Sequence, residues 1–183
     1  MPMPTGPLVV LSTAFVAPYE TTFFLREKIF SIRDSFDVRD ANGQTAFQLR
    51  GSLVSMRERK VLCDRNGQPV ATLTNRLLSI RDAVEIHSAD GSRVLAEVKK
   101  QLVSLTHGAR INVAGLQFPL EVRGDFRGRN FEIWHGSQLA GRVTRKTLMN
   151  VVSGRDHYTL TVSPHVDTAF MVALAMVFEA MFD

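Results

Sequence analysis

Four turn signals recur along this chain at one interval: Asn42-Gly43, Asn66-Gly67, Asp90-Gly91 and Ala114-Gly115 follow one another every 24 residues. Asn-Gly and Asp-Gly favour type I′ hairpin turns, in which both central residues take positive φ. Ala114-Gly115 is the weakest of the four. Between the turns the sequence alternates with period two. Phe36 and Val38 fall on one face of an extended chain and Asp37 and Arg39 on the other. Past the first turn, Phe47 and Leu49 alternate with Gln48 and Arg50. Val84 and Ile86 stand against Glu85 and His87, followed by Val94, Ala96 and Val98 on one face; later, Phe131 and Ile133 oppose Glu132 and Trp134. This is the pattern of strands with one buried face. Hairpins at that interval mean a strand roughly every 10 to 12 residues, which predicts an antiparallel sandwich or a closed barrel. A meander of strands of similar length accounts for the interval, and the leucine pattern of leucine-rich repeats is missing.

The end of the chain changes character. The stretch 157–164 (HYTLTVSP) reads as a last strand with Tyr158, Leu160 and Val162 inward. Ser163-Pro164 can start a helix and Asp167 can cap one. Residues from about 166 to 182 then form a helix roughly 25 Å long, about the height of a barrel of short strands. It carries no charge from Thr168 to Phe178, between Asp167 and Glu179. That run falls well short of the about 20 residues needed to span a bilayer core. A helix apolar on every face must be buried. The pattern therefore predicts a mainly β fold, a sheet closed around one hydrophobic C-terminal helix.

Composition narrows the class. With 183 residues, 45% apolar and 22% charged, the chain suits one globular domain and excludes collagen, coiled coil and extended disorder. The N-terminal stretch 1–19 has an apolar run but no basic residue, and prolines at 2, 4 and 7 precede that run, so it reads poorly as a signal peptide; residues 1–7 are expected to be flexible ahead of a single domain at 8–183. Cys63 is the lone cysteine, so no internal disulfide forms and a reducing, cytoplasmic setting is expected.

Several stretches carry a family resemblance. VLSTAFVAPY, FDVRDANGQTAFQLRG, RKVLCDRNGQPVATLTNRLLSIRDAVEI and YTLTVSPHVDTAFMVALAMVFEAMFD resemble the LURP-one-related family. That family belongs to the Tubby C-terminal-like superfamily, together with the phospholipid scramblases. The most specific elements are Ala17-Pro18-Tyr19, Leu77-Leu78-Ser79, and Val166-Asp167 leading into Ala169-Phe170. The resemblance runs in one register from about Leu8 to the C-terminus. It implies a twelve-stranded β-barrel around a central C-terminal helix, with that helix buried and no membrane span. It also implies a range of roles. Tubby domains bind phosphoinositide headgroups through basic residues and act as membrane-tethered transcription regulators. Scramblases are linked to lipid movement, and plant LURP-one-related proteins to defence. No enzymatic activity belongs securely to the family, and Tubby's lipid-contacting residues do not align onto this chain one by one.

Catalytic chemistry has no foothold in the sequence. There is no G-x-S-x-G elbow, P-loop or Rossmann glycine pattern, and Ser137 sits in a hairpin turn. His87, His107, His135, His157 and His165 show no i, i+4 pairing and no cysteine partner that would suggest a metal site. Asp34, Asp37 and Asp40 recur every third residue without an EF-hand signature. The reading is of a non-enzymatic protein with no metal and no cofactor.

The basic residues say more. Lys and Arg total 22 against 18 for Asp and Glu, a net charge of +4, and Arg outnumbers Lys 17 to 5. Arg is the better bidentate ligand for phosphate. Arg57, Arg59 and Lys60 begin a strand, with Arg57 and Arg59 on one face; Lys99 and Lys100 end another. Arg142, Arg145 and Lys146 run along and past the strand LAGRVTRK, and Arg127 and Arg129 lie on a Gly-containing loop. A solvated barrel exterior explains such charges as well. The functional alternative is that one cluster binds an anionic phospholipid headgroup, a phosphoinositide above all, in a signalling or regulatory role. The partners considered are therefore such headgroups, other proteins engaged by a scaffold, and nucleic acid. Nucleic acid is disfavoured because most of the 12 Phe residues fall at inward positions. The setting expected is cytoplasmic, peripheral at membranes or shuttling to the nucleus.

Overall fold

The computed structural model describes residues 6–26, 36–54, 57–75, 83–103, 106–125, 130–146 and 157–182. Among them are twelve strands: β1 (Thr21–Arg26), β2 (Phe36–Asp40), β3 (Thr45–Val54), β4 (Arg57–Asp64), β5 (Pro69–Asn75), β6 (Ala83–His87), β7 (Val94–Val103), β8 (Thr106–Val113), β9 (Leu120–Asp125), β10 (Asn130–His135), β11 (Gln138–Lys146) and β12 (His157–Val162). They form a closed antiparallel barrel in which each strand pairs with its sequence neighbours, and β1 pairs with β12 to seal it, from Thr21↔Val162 to Arg26↔His157. The single helix α1 (Thr168–Phe182) follows β12.

The alternation read from the sequence sets the barrel interior. Val38, Leu49, Leu62, Ile86, Val98, Ile111, Leu120, Ile133 and Leu160 are buried, and so are Tyr158 and Val162. They surround α1, whose residues from Ala169 to Met176 are buried on every face. Twelve strands enclose more space than their own side chains fill, so an apolar helix completes the core. No helix among the described residues is long and apolar enough to cross a membrane.

Two expectations about the hairpins need correction. The turns at Asn42, Asn66 and Asp90 are not type I′. Among the described residues only His165 and six glycines take positive φ, so none of these three does. At Asn42 and Asn66 the preceding aspartate explains why. Asp40 Oδ1 accepts the N–H groups of Asn42 (2.9 Å) and Gln44 (3.0 Å), and Asp64 Oδ1 accepts those of Asn66 (2.8 Å) and Gln68 (2.9 Å). Gly43 and Gly67, each at φ 78°, donate back to the Asp40 and Asp64 carbonyls. These are three-residue loops, a type I turn followed by a left-handed glycine. A bulge follows each: the register shifts between Val38 and Arg39 and between Leu62 and Cys63.

The second correction concerns Val94, expected inward and found 45% exposed. A register shift between Ile86 and His87 pairs Val94 with the outward His87, which takes it out of phase with Ala96 and Val98.

The helix begins at Thr168, two residues later than expected, because Asp167 is its cap: Oδ1 accepts the Phe170 N–H at 3.0 Å. The N-terminal segment crosses the barrel end where α1 enters. Leu8 bridges to Val166 and Val16 to Asp167. Of the stretch expected to be flexible, residues 1–5 lie outside the described residues, while Gly6 and Pro7 are described and exposed.

Candidate functional site

The meander has two ends. The 40–44 and 64–68 turns, the Ser88–Arg93 turn and the β10–β11 turn share the end at which α1 starts. Glu179 and Met181 lie toward the opposite end, to which α1 runs. Strand register sorts the ten predicted basic residues with respect to that opposite end.

Lys60, Lys100 and Arg145 take interior register positions there. Lys60 lies opposite the buried Leu73, two residues before buried Leu62. Lys100 lies opposite buried Ala109, two residues past Val98, and Arg145 opposite buried Tyr158, two residues past Val143. In the ring order these strands are three, four and five steps apart, so the three cations are distributed around the whole mouth. Lys60 and Lys100 are half-buried and Arg145 is exposed. The location has a physical reason. The last carbonyls of a helix are unpaired and carry partial negative charge, and the Glu179 carboxylate is buried near that helix end. Both features favour positive charge at that end.

Arg59, Lys99 and Arg142 instead face outward. Arg142 donates to Glu132 Oε1 through Nε at 2.8 Å and through a second guanidinium nitrogen. Those bonds, with one from Trp134 Nε1 at 3.1 Å, hold the Glu132 carboxyl below the usual range. Lys99 Nζ lies 2.6 Å from Glu97 Oε1. Both charges are thus matched by carboxylates on the barrel wall. Arg59 lies against Gly91 of the Ser88–Arg93 turn, and its buried Nε has no hydrogen-bond partner among the described residues.

Arg57 and Lys146 belong to β4 and β11 by their backbones, and their side chains lie outside the described residues, as do Arg127 and Arg129 altogether. Lys99 and Lys100 do not end a strand, since β7 continues to Val103; they point to opposite sides of the wall. The cluster at 57–60 and the cluster at 142–146 do not form one patch, because β4 and β11 sit five strands apart around the ring.

Sequence reasoning passed over Arg123, whose guanidinium stands 5.2 Å from the Trp134 ring centroid and 2.7 Å from Glu121 Oε2. It weighed Asp40 only as one of a spaced aspartate triplet and passed over Asp64, although the identical spacing of Asp-x-Asn-Gly-Gln at 40–44 and 64–68 was a visible signal. Among the described residues no three His, Cys, Asp or Glu side chains could jointly hold a metal ion.

The fold has a solved counterpart. The X-ray structure of a protein from Arabidopsis thaliana superposes with a TM-score of 0.72 at 21% identity, covering 96% of this chain and 99% of that one. No curated protein matches. A sequence profile described as LURP-one-related matches residues 21–179.

Proposed function

The chain belongs to the LURP-one-related family, and from that premise we propose that it is a non-enzymatic binding module that docks peripherally on anionic phospholipid headgroups, phosphoinositides above all. The observation that supports this reading is the ring of Lys60, Lys100 and Arg145 around the mouth at which α1 ends. A ring of cations around a low-dielectric rim concentrates positive potential along the barrel axis. Each of the three can donate charge-assisted hydrogen bonds to a phosphate at a membrane surface. Approach along the axis would bring a membrane surface toward all three cations, whereas Lys99 and Arg142 point outward from the barrel wall. The role that follows is regulatory: recruitment to, or release from, a membrane according to headgroup composition and ionic strength.

Vesicle flotation tests this. The expected result is binding to phosphoinositide-containing vesicles, none to neutral ones, and a decline with added salt. A cation near an anionic surface contributes on the order of 1 kcal/mol, so Lys100→Glu with Arg145→Glu should weaken binding by about tenfold or more. Equal binding to both kinds of vesicle, or to neither, ends the reading.

A further inference from the structure

The turn end of the barrel holds a feature unrelated to the basic mouth. Residues 14–22 run across that end and, with the turns at 40–44 and 64–68, enclose an open cleft of about 670 Å³. Its floor is aromatic. The Phe47 ring lies 5.7 Å, centroid to centroid, from both Phe15 and Phe23. Its lip carries Tyr19, a large side chain left 67% exposed. Its wall includes Thr21, whose hydroxyl is shielded from solvent and has no hydrogen-bond partner among the described residues.

The rim is acidic and rigid. Asp40 and Asp64 each commit Oδ1 to two main-chain N–H groups, which locks the side chain. Asp64 Oδ2 has no partner among the described residues, while Asp40 Oδ2 forms a loose ion pair at 3.9 Å with Arg65, an exposed cation that also lines the cleft and that an incoming Arg or Lys would displace. Glu20 adds a third carboxylate to the lining. The cleft therefore combines a preformed apolar floor with fixed negative charge above it, in a volume typical of ligand sites.

We propose that this cleft docks an extended peptide segment of a partner protein in which a large apolar side chain sits next to Arg or Lys. The apolar side chain would lie on Phe15 and Phe47 beneath Tyr19, and the adjacent cation between Asp40 and Asp64. Charge complementarity selects a basic segment over an acidic one, and the rigid carboxylates reduce the ordering cost of binding. With the basic mouth at the other end, the barrel would join an anionic surface to a basic peptide. The peptide site stands whether or not the mouth binds lipid.

An NMR titration of the full-length ¹⁵N-labelled protein tests it, with acetyl-Gly-Arg-Phe-Arg-Gly-amide as probe and acetyl-Gly-Glu-Phe-Glu-Gly-amide as control. The basic peptide is expected to produce saturable shifts confined to residues 14–23, 40–47 and 64–68, and the acidic peptide none. Asp40→Asn with Asp64→Asn keeps the turn acceptors and removes the charge, and should weaken binding by about tenfold. Tyr19→Ala should weaken it too, while Lys100→Glu at the far mouth should not. The proposal is overturned by an equal response to the acidic peptide, by saturable shifts elsewhere, by full affinity in the Asp40→Asn, Asp64→Asn protein, or by no saturable shift up to millimolar peptide.

Discussion

The main-chain N–H of Leu11 donates to the buried Asp167 carboxylate at 2.7 Å. The same oxygen, Oδ2, accepts from Val10 and Ser12 at 3.1 Å each, while Oδ1 caps α1 through Phe170. One carboxylate thus ties the N-terminal segment at 10–12 to the first turn of the last element, across 156 residues of chain. A buried charge is tolerable only when so satisfied.

Asp167→Ala would leave four main-chain N–H groups without their acceptor. Each unsatisfied buried donor costs about 1–3 kcal/mol, although some of the four can reach water. A loss of about 3 kcal/mol or more is expected in urea unfolding. Removing residues 1–12 should cost less in the Asp167→Ala protein than in the native one, because both changes break the bonds from Val10, Leu11 and Ser12, leaving the loss of buried Leu8 and its main-chain bonds in either background. Fully additive losses would show that the segment and the cap act independently.

The barrel wall packs tightly against the helix at Gly141. A Cβ there would lie 2.5 Å from Met171 Cε and 2.9 Å from the Thr161 carbonyl oxygen. The methionine tip can move; the carbonyl in β12 cannot. Gly141→Ala is expected to cost about 1–3 kcal/mol by overpacking, read from the urea midpoint at unchanged slope. An unchanged midpoint would mean that α1 does not press on this part of the wall.

Acid should weaken the protein through His135. Burial lowers its pKa in the folded state, so the unfolded chain binds that proton more readily. Stability is then full above the unfolded value of about 6.5 and falls as pH drops through it toward the lower folded value. Glu132 and Asp90, both held below the usual carboxylate range by hydrogen bonds, act only at more acidic pH. His135→Gln should flatten the decline in urea midpoint between about pH 7 and 5. Parallel pH profiles for the two proteins would contradict the assignment.

The Arg142–Glu132 pair separates wall from mouth. Arg142 has its charge matched on the outer face, so Arg142→Ala should change stability by no more than about 1 kcal/mol. In vesicle flotation it should reduce binding less than Lys100→Ala does. The reverse order would move the lipid contact from the barrel end to its side.

What could be read from the sequence followed from how local each signal is. Turn glycines act within five residues and strand alternation within one strand, so the hairpins, the inward Leu160 and the outward Glu132 were all legible. The apolar run at 168–178 was legible because a helix without a polar face has few places to lie. The turn type was misread because Asp40 and Asp64, outside the Asn-Gly pair, supply the acceptor that decides it. Val94 was misread because a bulge shifts the phase. The partners of Asp167 were not legible, since nothing near Val10 or Leu11 in sequence points to a carboxylate so far along the chain. Basic clusters could be located but not sorted. Alternation from Val98 already puts Lys100 inward, but whether an inward position that far along β7 reaches the mouth depends on how far the apolar layers extend.

Burial of α1 inside the barrel is the claim on which the two-ended reading rests, and hydrogen exchange of the native protein measures it most directly. Amides of residues 171–178, already hydrogen-bonded in the helix and shielded on every side, should exchange only through global unfolding, at the rate of the best-protected strand amides. Exchange of that segment far ahead of β11 and β12 would show that the helix leaves the barrel while the strands stay paired, and would contradict the account.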